Sequence, residues 1–506
     1  MKNSNRMVLL AVIVALLFTM GGVVGAAEAS ARTASWVISV TYQNVGVSPA
    51  SVTVDFYPEG SGTPIVYDAG QLQSGSAASF FIGSVSGVPQ SFRGSAVMSS
   101  NEPLIATVVQ FSQDAGFKMR MLSNGFSSSD AAEQYLVATV LKDRFSRTTV
   151  FSIQNTEGAP VVATVNLYDA DNAGALVATQ QHTIPAGSSK YVEMDVSTTT
   201  GLPVAQGAFN GSAIVTAVLA SDNTTPAKVV AAASELYTDK NVGANFEGLP
   251  VSRAANTVNM ATALCKKFGL DTYYAVQNAS LTDEATINVT YYNTDGTPKT
   301  TDGPYVIGPG QKQSIATCTP STGVAMADFT GSAKLTSTGA PIVAIGKAQG
   351  MAGASAATAD VFTAFMGEAQ GASKLGLPFV RWSSDANFNS ATNMGGKQRT
   401  FIAIQNLENV AAKVNVKYYG KSGGTPIATQ ELTIAANSKG NSDANAAGAL
   451  GQQGMNPGEF GYYTDNTFGG AVIIEAHPDN PTAKFIAIAR VQHPGAGEDY
   501  NAVVVP

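Results

Sequence analysis

The chain has 506 residues, 13% of them charged, and a formal net charge of −7. An acidic, sparsely basic sequence has no electrostatic footprint for nucleic acid, and 44% apolar content in a regular pattern excludes a disordered chain. Beyond an N-terminal segment about 475 residues remain, enough for three or four domains.

That N-terminal segment is the first element. Lys2 and Arg6 precede an apolar run from Met7 to Val24, and small residues follow through Ala31. A charged start, an apolar middle and a small-residue end predict a secretory signal peptide over 1–29, with cleavage after Ala26, Ala29 or Ala31. The run is also nearly long enough to span as an uncleaved anchor, and the sequence leaves that alternative open. No later stretch is apolar for long enough to span, so no membrane span is expected after cleavage. In an exported chain Cys265 and Cys318 are expected to pair, with two free thiols as the alternative. Two cysteines and three scattered histidines supply too few ligands for a metal site.

The rest of the chain repeats. A short run ending in Gln-Asn occurs four times, at Thr41–Asn44, Ser152–Asn155, Ala275–Asn278 and Ala403–Asn406. Eight or nine residues after each Asn begins an alternating run that ends at Tyr57, Tyr168, Tyr292 or Tyr419. Further on come FRGSAV, FNGSAI, FTGSAK and the looser FGGAVI, starting at Phe92, Phe209, Phe329 and Phe468. Internal repeats set the architecture. In the alternating runs Val52, Val54 and Phe56 recur as Ala163/Val165/Leu167, Ile287/Val289/Tyr291 and Val414/Val416/Tyr418, while the residues between them vary. Period-two apolar spacing is that of a half-buried antiparallel strand.

Taken in order, the repeats are predicted over 30–128, 129–245, 246–370 and 371–498. Short strands with Gly, Pro and Asn between them indicate immunoglobulin-type sandwiches. A lead-in strand, Tyr135–Asp143, precedes the second repeat, and Gly248–Arg253 and Gly376–Trp382 are read as lead-ins to the third and fourth. The first repeat lacks one, and the chain closes on 499–506, DYNAVVVP, which aligns with the lead-in by setting Tyr500 on Tyr135. An extra strand at one end and a missing one at the other is the geometry of strand donation between copies. Tyr500, Val503, Val504 and Val505 are then the candidate assembly strand, and Trp36, Ile38 and Val40 the candidate acceptor. The alternative is that the tail folds back on the edge of its own repeat.

No catalytic constellation is visible. His182, His477 and His493 lie apart in turn-rich contexts, and no phosphate loop, HExxH or GxSxG occurs. Asp169–Gly174 shares its Asp spacing with calcium loops, but Gln180 stands where the closing acid belongs, so a polar turn is expected. The Gln-Asn pairs are expected to close turns through the Asn side chain. No cofactor is expected, and the chain is read as not an enzyme.

On Leu249-Pro250, Gln277-Asn278 and Tyr291-Tyr292, and again on Leu377-Pro378, Gln405-Asn406 and Tyr418-Tyr419, the sequence resembles the tandem immunoglobulin-like repeats of secreted bacterial surface proteins, particularly those of filamentous Chloroflexota. The second repeat departs from that pattern with Leu136-Val137. The resemblance implies an all-β, extracytoplasmic array of four tandem immunoglobulin-like antiparallel β-sandwich domains after a signal peptide, and no particular ligand. The expected function is a secreted structural protein that self-assembles into a filament, sheath or surface layer, with itself as partner and cell-envelope glycans as a further candidate. The alternative is an adhesin or carbohydrate-binding stalk.

Overall fold

The computed structural model describes residues 10–16, 36–112, 120–351, 353–355, 358–390, 397–451, 467–493 and 496–506. The fold is all-β, built from antiparallel sheets packed as sandwich-like pairs. Helices among the described residues are short turns such as Ser197–Thr200 and Asp385–Ser390. None is long and apolar enough to cross a membrane.

The second repeat shows the plan. One sheet runs Ala175–Ile184, Val161–Asp169, Phe209–Leu219, Gln134–Lys142 and Leu249–Pro250; the facing sheet runs Ser189–Glu193, Arg147–Asn155, Val229–Tyr237 and Val242–Glu247. The alternation read from sequence is the burial pattern: Val161, Ala163, Val165 and Leu167 are fully buried, and the residues between them are half-exposed.

The recurring motifs have local causes. A Cβ on Gly94, Gly211, Gly331 or Gly470 would lie 2.0–2.1 Å from the carbonyl oxygen of Tyr57, Tyr168, Tyr292 or Tyr419. Only glycine lets the strand after each Phe approach the tyrosine strand that closely. In each Gln-Asn pair the Asn Oδ1 accepts from the N–H two residues on (Gly46, Glu157, Ser280, Glu408), at 2.8–2.9 Å. Its Nδ2 donates across to carbonyls at the end of the outer strand, Leu72, Ile184, Ile307 and Ile434, at 2.9–3.0 Å. Asp169 Oδ1 accepts from the Asp171 N–H at 3.0 Å, the polar turn expected there.

Three boundaries differ from the sequence reading. Leu249-Pro250 ends the second repeat, paired with Leu136 and Tyr135, and does not open the third. The third repeat's lead-in strand is Thr257–Cys265. Leu377-Pro378 does lie in a lead-in strand, where the register shifts between Leu377 and Val380. Equivalent shifts at Val137/Val140 and Met260/Ala263 show that this bulge belongs to the fold, and it accommodates a residue that cannot donate.

The tail is the third difference. Ala496–Asn501 pairs with Phe485–His493, and Val503 and Val504 pair with Gly376 and Leu375, all within the fourth repeat. The resemblance of Tyr500 to Tyr135 misled. Tyr500 stands in the strand that follows the Phe485–His493 hairpin, equivalent to Val242–Glu247, and Val503-Val504 are equivalent to Leu249-Pro250. The fold-back alternative describes this chain.

The four repeats are not in a row. Asn124 of the first repeat donates its side-chain amide to Asn501 O of the fourth at 2.7 Å, and its N–H to Glu247 Oε1 of the second at 2.5 Å. Asn501 in turn exchanges two hydrogen bonds with the main chain of Met366 in the third, at 2.8 and 2.9 Å. The strands Arg120–Asn124, Val242–Glu247, Phe362–Met366 and Ala496–Asn501 thus gather on one axis and close the repeats into a ring. Val109 and Leu122 of the first repeat share a core with Leu375, Leu377 and Phe379 of the fourth, so first and last are joined as neighbours.

Candidate functional site

The residues singled out from sequence fall in different places. Cys265 and Cys318 are bonded, tying the end of the third lead-in strand to the turn after Lys312–Ala316. Trp36, Ile38 and Val40 are buried in the strand Trp36–Asn44, which pairs with Leu104–Ser112 along its length and with Ala77–Phe81 from Ser39 to Gln43. Val40 is thus paired on both sides and accepts no third strand, whereas Trp36 and Ile38 lie ahead of the second pairing. Of the assembly residues, Tyr500 and Val505 are buried in their own repeat and Val504 is 55% exposed. Tyr500 Oη donates to Phe379 O and burial holds its phenol far above its usual range.

The first repeat does have a lead-in position. Leu10–Leu16 occupies it, antiparallel to Gly94–Ser100 and touching Phe126-Ser127. These residues belong to the apolar run read as a leader; the candidate cleavage positions at Ala26, Ala29 and Ala31 lie outside the described residues.

The junctions between repeats share one device. Ser95, Ser212 and Ser332 each donate their hydroxyl to the carbonyl of a left-handed residue in the next repeat, Gly187, Gly310 and Asn437, at 2.7–2.9 Å. The same carbonyls accept the side-chain amides of Gln154, Gln277 and Gln405 from their own repeat, at 3.1–3.3 Å. In these three Gln-Asn pairs one half therefore closes a turn, and the other serves the oxygen that receives the neighbouring repeat. At the fourth junction Ala471 stands in the serine position, and Ser76 Oγ donates instead to Ser422 O at 2.8 Å.

Buried charge concentrates at the junctions and on the axis, where sequence reasoning saw none. Arg120 of the first repeat meets Glu498 of the fourth at 2.9 Å, and Arg490 holds Asp499 at 2.7 Å. At one end of the axis Glu247 and Glu368 flank Arg253 and Asp130; burial raises the Glu247 carboxyl to about 7 against the bond it accepts from Asn124. Between repeats, Lys312 Nζ reaches Thr139 Oγ1 at 3.3 Å and Lys439 Nζ reaches Thr262 Oγ1 at 2.9 Å, each lysine crossing to the preceding repeat. Burial lowers both ammonium groups to about 7. Cavities of about 390 and 280 Å³ lie beside these two lysines. His182 Nε2 is bound to Thr199 O of the helical turn Ser197–Thr200 in its own repeat, and His493 is buried at 3.5 Å from Glu498, so these two histidines stay apart.

Among the described residues the outermost strand of each repeat pairs on one side only: Ile65–Leu72, Ala175–Ile184, Pro298–Ile307 and Ala428–Ile434. Each stands at the end of its sheet away from the lead-in strand, with Val66, Leu176 and Val306 exposed.

The fold and its junctions define a closed, multi-sheet β protein. No family model matches the chain, and no curated protein is similar to it. Among solved structures it is similar to an α-L-rhamnosidase of Streptomyces avermitilis complexed with L-rhamnose, at 10% identity and a TM-score of 0.12 over 90% of this chain. It is also similar to a β-glucuronidase from glycoside hydrolase family 2, at 13% identity and 0.11 over 43% of this chain. The matches span about half (54%) of the first of those chains and 22% of the second. At these scores neither likeness bears on fold or activity.

Proposed function

We propose that this protein is a secreted structural subunit, four immunoglobulin-like sandwiches closed into a ring, that associates with copies of itself into an extracellular layer, sheath or filament. The observation that carries the reading is the set of four outer strands with an unpaired edge. An open edge presents unused N–H and C=O groups, a template for pairing with another chain. Natural edges are blunted by charge, proline or bulges. Pro298–Ile307 has Lys299, Asp302 and two prolines, whereas Ala175–Ile184 runs ten residues with neither charge nor proline and has a single bulge, at Val177. Contact through ring edges replaces head-to-tail donation of Tyr500–Val505, because that tail is engaged in its own repeat.

Electron microscopy of the purified exported protein tests this. Ordered arrays without added ligand are expected, and Thr179→Lys with Gln181→Lys should disperse them while leaving the melting temperature within a degree or two. Wild-type protein that stays monomeric at high concentration overturns the reading. The adhesin reading draws on one observation, the junction cavity walled by Tyr237 and Tyr273.

A further inference from the structure

We propose that the cavity between the second and third repeats is a binding site for a small organic oxyanion, a carboxylate or sulfate ester carried on a body about the size of one sugar. Three cations converge there. Lys312 and Lys347 are each 7% exposed, and the Arg147 side chain is 14% exposed. One carboxylate opposes them: Glu235, fully buried, takes Lys347 at 2.5 Å and Arg147 at 3.2 Å. With all three protonated the count is three positive charges against one, a surplus of two. The next carboxylate acting on Lys312 is Asp171, itself held by Arg144 at 3.0 Å.

Lys312 is the group left over. Its ammonium has three donors, and its one hydrogen-bond partner among the described residues is Thr139 Oγ1 at 3.3 Å, an oxygen that also takes Lys347 at 3.1 Å. A buried ammonium without an anionic partner is costly unless a ligand supplies one or the proton leaves. Burial, with Lys347 adding repulsion, brings its pKa down to about 7.

The other junctions act as internal controls. The register position opposite the motif Gln holds Lys312 in the third repeat, Lys439 in the fourth, Ser189 in the second and Ala77 in the first. The position of Lys347 holds Arg490, Ser234 and Val109. Arg490 is neutralised by both oxygens of Asp499, which leaves Lys439 as a surplus of one at the third–fourth junction against a surplus of two at the second–third. About 390 Å³ lies at the lower end of ligand pockets, and Tyr237, Tyr273, Gln349 and Ser314 give it the mixed apolar and hydrogen-bonding wall a sugar-sized body requires. A carboxylate or sulfate on that body would meet the ammonium groups in charge-assisted hydrogen bonds.

Calorimetric titration of the full exported protein decides it, using galacturonate, galactose 6-sulfate, galactose and inorganic sulfate. The two charged sugars should bind at least tenfold more tightly than galactose. Lys312→Met should lose at least tenfold, while Lys439→Met, at the equivalent place one junction on, should change little. At pH 8 binding should take up protons, seen as a dependence of the heat on buffer ionisation enthalpy; this readout needs no variant and stands if Lys312→Met does not fold. Charged sugars that bind no better than galactose, or bind without proton uptake, overturn the proposal. Inorganic sulfate binding as tightly as galactose 6-sulfate overturns recognition of the sugar body.

Discussion

Asn124 donates its side-chain amide to the main-chain oxygen of Asn501 at 2.7 Å, across 377 residues of chain, with both residues buried. This bond joins the first repeat to the last. Asn124 also takes the Thr107 hydroxyl at 3.0 Å and gives its N–H to Glu247, so a single side chain and its backbone serve three repeats.

Asn124→Ala should therefore cost more than an ordinary surface substitution. Truncation leaves the buried Asn501 carbonyl and the Thr107 hydroxyl short of a partner, a loss of about 1–3 kcal/mol. Urea unfolding measures the cost, and hydrogen exchange should quicken in Ala496–Asn501 before it does in the third repeat. Unchanged stability with unchanged exchange would show that the ring does not depend on this contact.

The serine of the Phe-x-Gly-Ser motif gives a second expectation. Ser212 is fully buried and donates to Gly310 O at 2.8 Å, where Gln277 donates as well. Ser212→Ala and Ser332→Ala should each cost about 0.5–1.5 kcal/mol, the net worth of a neutral hydrogen bond whose acceptor keeps a second donor. A loss above that range would mean the glutamine bond fails with it.

Those motifs were legible because they answer to local geometry. Glycine recurs where a Cβ would strike the tyrosine carbonyl, and asparagine recurs where a turn needs its amide. Ring closure was not legible, because each of its hydrogen bonds has a main-chain group on one side, Asn501 O, Met366 O, Met366 N–H or Asn124 N–H, which every residue but proline has. The axial strands RMLSN, VGANFE, FTAFM and AGEDYN share almost no sequence, since one face packs in its own repeat and the other meets a different neighbour each time. DYNAVVVP was misassigned for a related reason. Tyr and Val spacing matched a lead-in strand, but the hairpin before it at His493 and Ala496 fixes which strand it becomes. The lysines at the junctions escaped notice as well: Lys312 and Lys439 begin strands whose outer neighbours are polar, and their burial is imposed by the preceding repeat.

Lys439 makes that burial measurable. Burial pulls its ammonium down to about 7, with Arg490 adding to the fall and Asp499 opposing it. In the unfolded chain the group titrates near 10.4. Between about pH 7 and pH 10 the unfolded chain holds the extra proton, so this group makes stability rise with pH across that window, and its penalty is fully present below it. Lys439→Met should stabilise the protein by about 1–4 kcal/mol near pH 6–7, and the gain should shrink toward pH 10. A gain that stays constant across the window would mean that lost packing or the Thr262 bond, and not the buried charge, sets the difference.

The lead-in position of the first repeat is the remaining test. Leu10–Leu16 fills it, aligned from Leu10 opposite Ser100 to Leu16 opposite Gly94. In the second to fourth repeats the same position is filled by Gln134–Lys142, Thr257–Cys265 and Lys374–Trp382. A protein lacking residues 1–31 would leave Gly94–Ser100 paired with the tyrosine strand alone, its other edge and that of Phe126-Ser127 open. Hydrogen exchange at residues 94–100 in that truncated protein should be at least tenfold faster than at residues 209–219, the equivalent strand of the second repeat. Assembly at higher concentration should restore protection if a strand from another copy enters the slot. Equal protection at both places in the dispersed truncated protein would show that the first sandwich closes by itself and has no acceptor to offer. Protection that never returns in assembled arrays would assign assembly to the outer edges alone.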